Sequence, residues 1–336
     1  MLAIIPPKHS ASPGGIRAIA FIDEDRKRWG IALFLVDKGK QLLKQSTIHK
    51  NYVLYRMVKN FYNTNYKKTA LICYIIRPFV KKKTNSVKHS NYQEAEQIVK
   101  ALSLNGFNID IINYDYKKQI NYDKYDLIFG FGNVFEKSFY CNKSMLRIFY
   151  ATGSETFFQN SSEIARVKEV ALKKKAKVFP KRISLYAGNM STLLADAMII
   201  IGNDFTKGTF SNSNICKYTI NATPLNSTVR RHREINNAKT HFLWFGSAGL
   251  IHKGLDLCLE VFSKHEDMVL HICGPKEEDF FSIYNCELNK SNIIYHGFVD
   301  VSSDLFEQIV SQCMFTILPS CSEGQATSLL TTMQLD

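Results

Sequence analysis

Phe242-Leu-Trp-Phe-Gly246-Ser-Ala-Gly249-Leu-Ile-His-Lys253-Gly254 runs from an apolar segment into a glycine loop, a lysine and then a helical pattern. A strand, loop and helix of this kind brings backbone N–H groups close to an anion and adds a point charge. Further on, Phe315-Thr-Ile-Leu-Pro319-Ser-Cys-Ser-Glu323-Gly324 is a second apolar run that ends in a turn bearing one carboxylate, with Thr327 or Ser328 placed to open the next helix. Strands that alternate with helices imply a largely parallel sheet covered on both faces, which is the α/β class.

Working outward, the alternation continues on both sides. In the last third, strands are expected over 242–245, 268–273, 293–295 and 315–318, and helices over 255–262, 277–286, 303–312 and from about 327. An earlier series begins near Lys67, with strands over 70–76, 107–112, 126–131, 145–150, 183–187 and 197–201 and a helix over 92–104 that Gly106 closes. Asn160, with Glu163 three residues on, reads as the N-cap of a helix reaching about 175. The polar stretch 221–240, with Pro224 and Arg230-Arg231-His232-Arg233-Glu234, reads as a linker. The chain is therefore expected to hold two tandem Rossmann-like domains, 67–220 and 241–336, after an N-terminal extension, 1–66. In that extension 16–21 and 31–36 read as short strands. Leu54, Met57, Val58 and Phe61, spaced i, i+3, i+4 and i+7, predict a basic amphipathic helix that either lies on a membrane or packs on a neighbouring domain.

Composition narrows the function. The 336 residues suffice for two domains, and 45% hydrophobic with 22% charged residues is a globular balance. No apolar stretch approaches the ~18 residues of a membrane span, and Pro6, Pro7 and Lys8 interrupt the short apolar N-terminus, so a signal peptide is not expected. A cytoplasmic location follows. The eight cysteines show no C-x-x-C pair and mostly sit in apolar runs, which reads as reduced, buried thiols. A net charge of +13, with Lys81-Lys82-Lys83, Lys173-Lys174-Lys175 and Arg26-Lys27-Arg28, suits an acidic membrane surface or a diphosphate. No nucleic-acid motif accompanies these runs, so nucleic acid is not an expected partner.

Lys253, with the amides of Gly246 to Gly249, fits a diphosphate that gains charge as a bond to it breaks. The amides of Gly324, Gln325, Ala326 and Thr327 are a second donor set. Glu323 belongs at the carboxyl edge of the sheet, where it either caps the following helix or accepts hydrogen bonds from sugar hydroxyls. On the other domain Thr152, Gly153, Ser154 and Glu155 form either a loop that hydrogen-bonds a ligand or a capping turn. His252 either faces solvent or joins the site. Asp23-Glu24-Asp25 imitates a metal motif, but three basic residues follow at once and no metal is expected.

Gly246, Lys253, Gly254, Pro319, Ser320, Glu323 and Gly324, with Gly274-Pro275 and Gly297-Phe298-Val299, resemble the donor half of the family-4 glycosyltransferases, whose GT-B fold joins two Rossmann-like domains. The resemblance is close over 242–336 and general over 67–220. It implies a retaining transfer of a sugar from a nucleoside diphosphate to a glycan or lipid-linked acceptor at the membrane face, with the nucleotide sugar as substrate and no cofactor. Lys253 would bind the donor diphosphate, Glu323 would hold the transferred sugar, and the loop of Thr152, Gly153, Ser154 and Glu155 would lie on the acceptor side. Ser247 stands where the family has an arginine, and Thr331 where it has the glutamate that holds the ribose. The Gly-x-Pro-Val segment and closing helices of the family do not follow before Asp336, so the second domain is expected to be incomplete, a truncated or decayed copy.

Overall fold

A computed structural model describes residues 53–80, 90–141, 144–185, 189–224 and 240–334 in full, and three strands before residue 35 by their backbone alone. The chain divides into two units, 1–56 and 57–336. In the first, β1 (Leu2–Ile4), β2 (Arg17–Asp23) and β3 (Arg28–Phe34) form an antiparallel sheet in chain order, with Ala20 opposite Ile31 and Asp23 opposite Arg28. Glu24 and Asp25 of the acidic triplet lie outside the described residues, as do the Lys81 run and the core of the expected linker, 225–239.

The second unit holds two parallel sheets. The first has seven strands in the order β10-β9-β8-β7-β5-β6-β4. Their ranges are β4 (Met57–Val58), β5 (Lys68–Tyr74), β6 (Phe107–Asn113), β7 (Leu127–Gly130), β8 (Leu146–Ala151), β9 (Ala197–Ile201) and β10 (Cys216–Ile220). All pair in parallel except β4, which runs antiparallel on the edge. Ala70 to Tyr74 are buried without a break, the near-continuous apolar run of a strand covered on both faces. Helix α1 (Ser90–Leu104) crosses from β5 to β6 and ends before Gly106, which takes a φ of 82°.

The second sheet has the order β13-β12-β11-β14, all parallel: β11 (His241–Phe245), β12 (Val269–Cys273), β13 (Ile293–Gly297) and β14 (Phe315–Thr316). Alternate residues serve two cores. Trp244, Leu270 and Ile272 pack with Leu255, Leu259 and Phe262 of helix α3 (Leu255–Phe262). Leu243 and Cys273 pack on the other face with Phe306, Ile309 and Val310 of helix α4 (Asp304–Gln312), whose N-cap Ser303 accepts from the Phe306 amide. Helix α5 (Thr327–Met333) follows β14. In this sheet β12 lies on one side of β11 and β14 on the other. The strand order therefore reverses between β11 and β14, and the crevice beyond their carboxyl ends is where open α/β sheets bind ligands.

Three local expectations fail. Met57 and Val58 form a strand instead of a helix, because the edge of β6 offers unpaired ladder groups and they pair there with Ile112 and Ile111. Asn60 and Asn63, at φ of 40° and 53°, then turn the chain out of any helical path. Residues 183–185 join no sheet. The Asn160 amide takes up the Ser184 backbone, accepting from its N–H at 2.9 Å and donating to its carbonyl at 2.8 Å. Asn160 is accordingly not an N-cap: the long helix α2 (Thr156–Lys174) begins earlier, on Glu155, whose carboxylate accepts from the Phe158 amide at 2.9 Å. Strand β10 went unforeseen in the sequence.

Helix α2 leaves the first sheet and packs into the core of the second. Its buried residues Glu163, Val167 and Val170 follow the i, i+4, i+7 spacing of one face, and the two valines join Trp244, Leu250 and Leu255. Arg166 pairs with Asp256, whose side chain is 1% exposed, and Lys174 pairs with Glu287.

Candidate functional site

The crevice between β11 and β14 is built by two loops that bond to each other. Residues 246–254 leave β11 and return through turns, with the Lys253 amide donating to the Gly249 carbonyl at 2.9 Å. Residues 317–324 leave β14. The Cys321 amide donates to the His252 carbonyl at 2.9 Å, and the His252 ring bonds the Ser322 carbonyl at 2.8 Å. Because a carbonyl can only accept, Nε2 of His252 carries the proton and Nδ1 is left as an acceptor, 3.5 Å from the Cys321 thiol. Trp244, fully buried, donates from its indole to the Lys253 carbonyl at 3.2 Å. Backbone and buried rings thus hold this lysine in place before any ligand arrives.

Lys253 and Glu323 meet directly, Nζ against Oε1, as an ion pair. The lysine side chain is 10% exposed and the glutamate 28%. Burial pushes the Lys253 ammonium below its ordinary pKa, and the Glu323 carboxylate works in the opposite direction. A cation this dry, with one carboxylate beside it, favours an anion that can take that carboxylate's place.

The loop 152–155 of the first domain faces the same turn. Ser154 donates to the Glu323 carbonyl at 2.6 Å, and Thr206 donates to the Gly324 carbonyl at 2.9 Å. Gly324 is there for close approach: a Cβ would stand 2.7 Å from the Ile201 carbonyl oxygen and 3.0 Å from the Gly153 Cα. The carboxyl edges of the two sheets therefore meet around a cleft of about 250 Å³, lined among others by Tyr150, Thr152, Ser154, Arg182, Glu323 and Gly324.

The remaining expected residues divide. Gly246 follows β11, its amide donating to the Cys273 carbonyl at 3.1 Å, and Gly249 donates to Glu277 at 2.5 Å. Ser247 touches Arg182. Gln325 turns away from the crevice, its side-chain oxygen accepting from the Ala222 amide at 2.6 Å. Helix α5 opens on Ala326 with no side-chain cap, so Thr327 is its first residue and not its cap. Thr331 is 3% exposed and its hydroxyl donates back to the Thr327 carbonyl at 2.7 Å. Glu155 caps α2, which leaves Thr152 and Ser154 as the side chains of that loop on the cleft.

His252, left open by the sequence between solvent and the site, joins the site, and so do Glu163 and Arg182, which the sequence did not single out for it. His252 is 2% exposed, not solvent-facing, and burial pushes its pKa down. Glu163 is 1% exposed and no capping residue; it accepts from the backbone amides of Lys181 at 2.7 Å and Arg182 at 2.8 Å. No local pattern could have found Glu163 and Arg182 in this role, because their partners lie on other elements. Among the described residues no group of three or more His, Cys, Asp and Glu is set to hold a metal, and no helix is long and apolar enough to cross a membrane.

No family model and no curated protein matches the chain. Solved structures do. The lipopolysaccharide outer core galactosyltransferase WaaB, in its apo form, is similar at a TM-score of 0.52 and 13% identity, over 80% of this chain and 78% of that one. Anabaena HepE in complex with UDP and glucose follows at 0.46 and 9%, over 80% and 78%. S. aureus TarM matches at 0.43 and 13%, over 62% of this chain and 39% of its own, so the chain spans about two fifths of TarM's length. With two parallel sheets in tandem and the likeness to WaaB, the chain has the GT-B fold of glycosyltransferases.

Proposed function

We propose that this protein is a retaining glycosyltransferase of the family-4 kind, moving a hexose-type sugar from a nucleoside diphosphate to a glycan or lipid-linked acceptor. One observation carries the reading: the Lys253–Glu323 pair stands at the β11/β14 crevice, with the first domain's loop 152–154 against it. In this mechanism the donor diphosphate displaces the carboxylate from Lys253. The lysine, with the Ser247 and Ala248 amides of the loop beside it, then faces the charge that builds on the leaving diphosphate as the glycosidic bond breaks, the Gly246 and Gly249 amides being held by the Cys273 carbonyl and Glu277. Glu323, released, accepts hydrogen bonds from the sugar hydroxyls, while Thr152 and Ser154 lie on the acceptor side. The nucleotide sugar enters as substrate and the reading calls for no cofactor. A charge of +13 supports contact with an anionic membrane face, where a lipid-linked acceptor would be met.

A second reading, a sugar-nucleotide-binding protein without turnover, is favoured by Thr331, whose hydroxyl is already committed within its own helix. Calorimetry with a panel of nucleoside diphosphates, followed by transfer and hydrolysis assays with the matching sugars, separates the two. Binding with transfer supports the enzyme, binding alone supports the second reading, and no binding rejects both.

A further inference from the structure

We propose that Arg182, from the first domain, is the second cation of the diphosphate site. The proposal rests on the donor reading above and adds a residue that reaches it from the opposite half.

Arg182 is held by its backbone. Its amide donates to the buried Glu163 carboxylate at 2.8 Å, beside the Lys181 amide at 2.7 Å, and its carbonyl accepts from Gln159 at 2.9 Å. Both anchors, Glu163 and Gln159, are on α2, the helix seated in the second core, so the arginine is delivered to the crevice by a rigid element. Its stem lies on Gly249. At a φ of 86° that glycine has no side chain to intervene, and a Cβ there would come within 2.5 Å of the Arg182 Cδ. The guanidinium then crosses to the glycine loop, Nη1 standing 3.2 Å from the Ala248 carbonyl and 3.5 Å from the Ser247 hydroxyl.

Charge sets this arginine apart from its neighbours. Lys253 is paired with Glu323, Arg166 with Asp256 and Glu169, and Lys181 with Asp279 at 2.7 Å. The Arg182 guanidinium has only neutral oxygens for partners among the described residues, and its buried Nε has none. An arginine that lines a cleft with its fork unmatched by a carboxylate suits a planar, bidentate oxyanion such as phosphate. A diphosphate brings more negative charge than Lys253 alone can balance, and the long contact to Ser247 is easily given up.

Calorimetry of UDP and GDP against uridine and guanosine tests this with the full chain. Wild type should bind one diphosphate well above its nucleoside. Arg182→Ala should lower diphosphate affinity about tenfold to a hundredfold, with nucleoside affinity and melting temperature unchanged. Arg182→Lys should fall between, and Ser247→Arg in the Arg182→Ala background should recover affinity, since it returns a guanidinium to the same loop. Should Arg182→Ala prove unfolded, Arg182→Gln takes its place. Diphosphate binding equal in wild type and variant overturns the role of Arg182 while leaving the donor reading intact. Wild type that binds no diphosphate overturns both.

Discussion

The two domains touch in two places of opposite character. At the back, α2 buries Val167 and Val170 among Trp244 and Leu255 and adds the Arg166–Asp256 pair, a dry contact of the kind that fixes a core. At the front, around the cleft, the halves meet through hydrogen bonds to neutral oxygens, from Ser154 to the Glu323 carbonyl, from Thr206 to the Gly324 carbonyl and from Arg182 to the Ala248 carbonyl. Each of those groups can exchange its partner for water or a sugar hydroxyl at little net cost. The back therefore sets the relation of the halves, and the front is left open to chemistry.

The sharpest way to break this contrast is at Arg166. Arg166→Ala leaves the buried Asp256 without its cation, which should cost about 3–5 kcal/mol, read as a lower midpoint in urea unfolding; a change below ~1 kcal/mol would deny the back contact its role.

Acid probes the second core from within. His271 on β12 lies between His241 on β11, at 2.9 Å, and His296 on β13, at 3.0 Å. Burial, and then the neighbouring His296 and His241, push its pKa down to about 4. Folded His271 thus stays neutral where the unfolded chain, with an ordinary histidine pKa near 6.5, takes up a proton. Stability is fully present above that value and falls as pH drops toward about 4. By pH 5 the loss attributable to this ring is roughly 2 kcal/mol. His271→Leu should flatten the difference in unfolding free energy between pH 7 and pH 5, and an unchanged difference would move the effect elsewhere.

Front-side variants should be mild by comparison. Ser154→Ala is expected to cost about 1 kcal/mol in stability, since the Glu323 carbonyl can turn to solvent in the cleft. At the exposed rim of the back contact, Lys173→Ala, which removes the pairs to Glu169 and Glu260, should leave the unfolding midpoint unchanged.

What the sequence made legible follows the same divide. Strand β5 was readable because a strand covered on both faces carries an unbroken apolar run, strands β11 to β14 because their short apolar stretches alternate with helical patterns, and the α3 range came out as expected. The juxtaposition of Lys253 with Glu323 was also readable, because both loops leave the carboxyl ends of strands that flank a reversal of strand order. Side chains whose partners are distant were not. Asn160 and Glu163 have the spacing of a capping box, yet each is used by the backbone of 181–184, some twenty residues on. Arg182 carries no local mark at all, because Glu163 and Gly249 place it. The strand at Met57 was hidden because an edge partner, not its own periodicity, decided its conformation.

The central claim is that the front pair grips an activated sugar. The most direct test is transfer from a nucleoside-diphosphate hexose by wild type, Lys253→Ala and Glu323→Ala, with binding of the diphosphate alone measured alongside. The account predicts that both variants lose transfer by at least about a hundredfold, and that only Lys253→Ala also loses the diphosphate. Turnover that survives in both variants would contradict it.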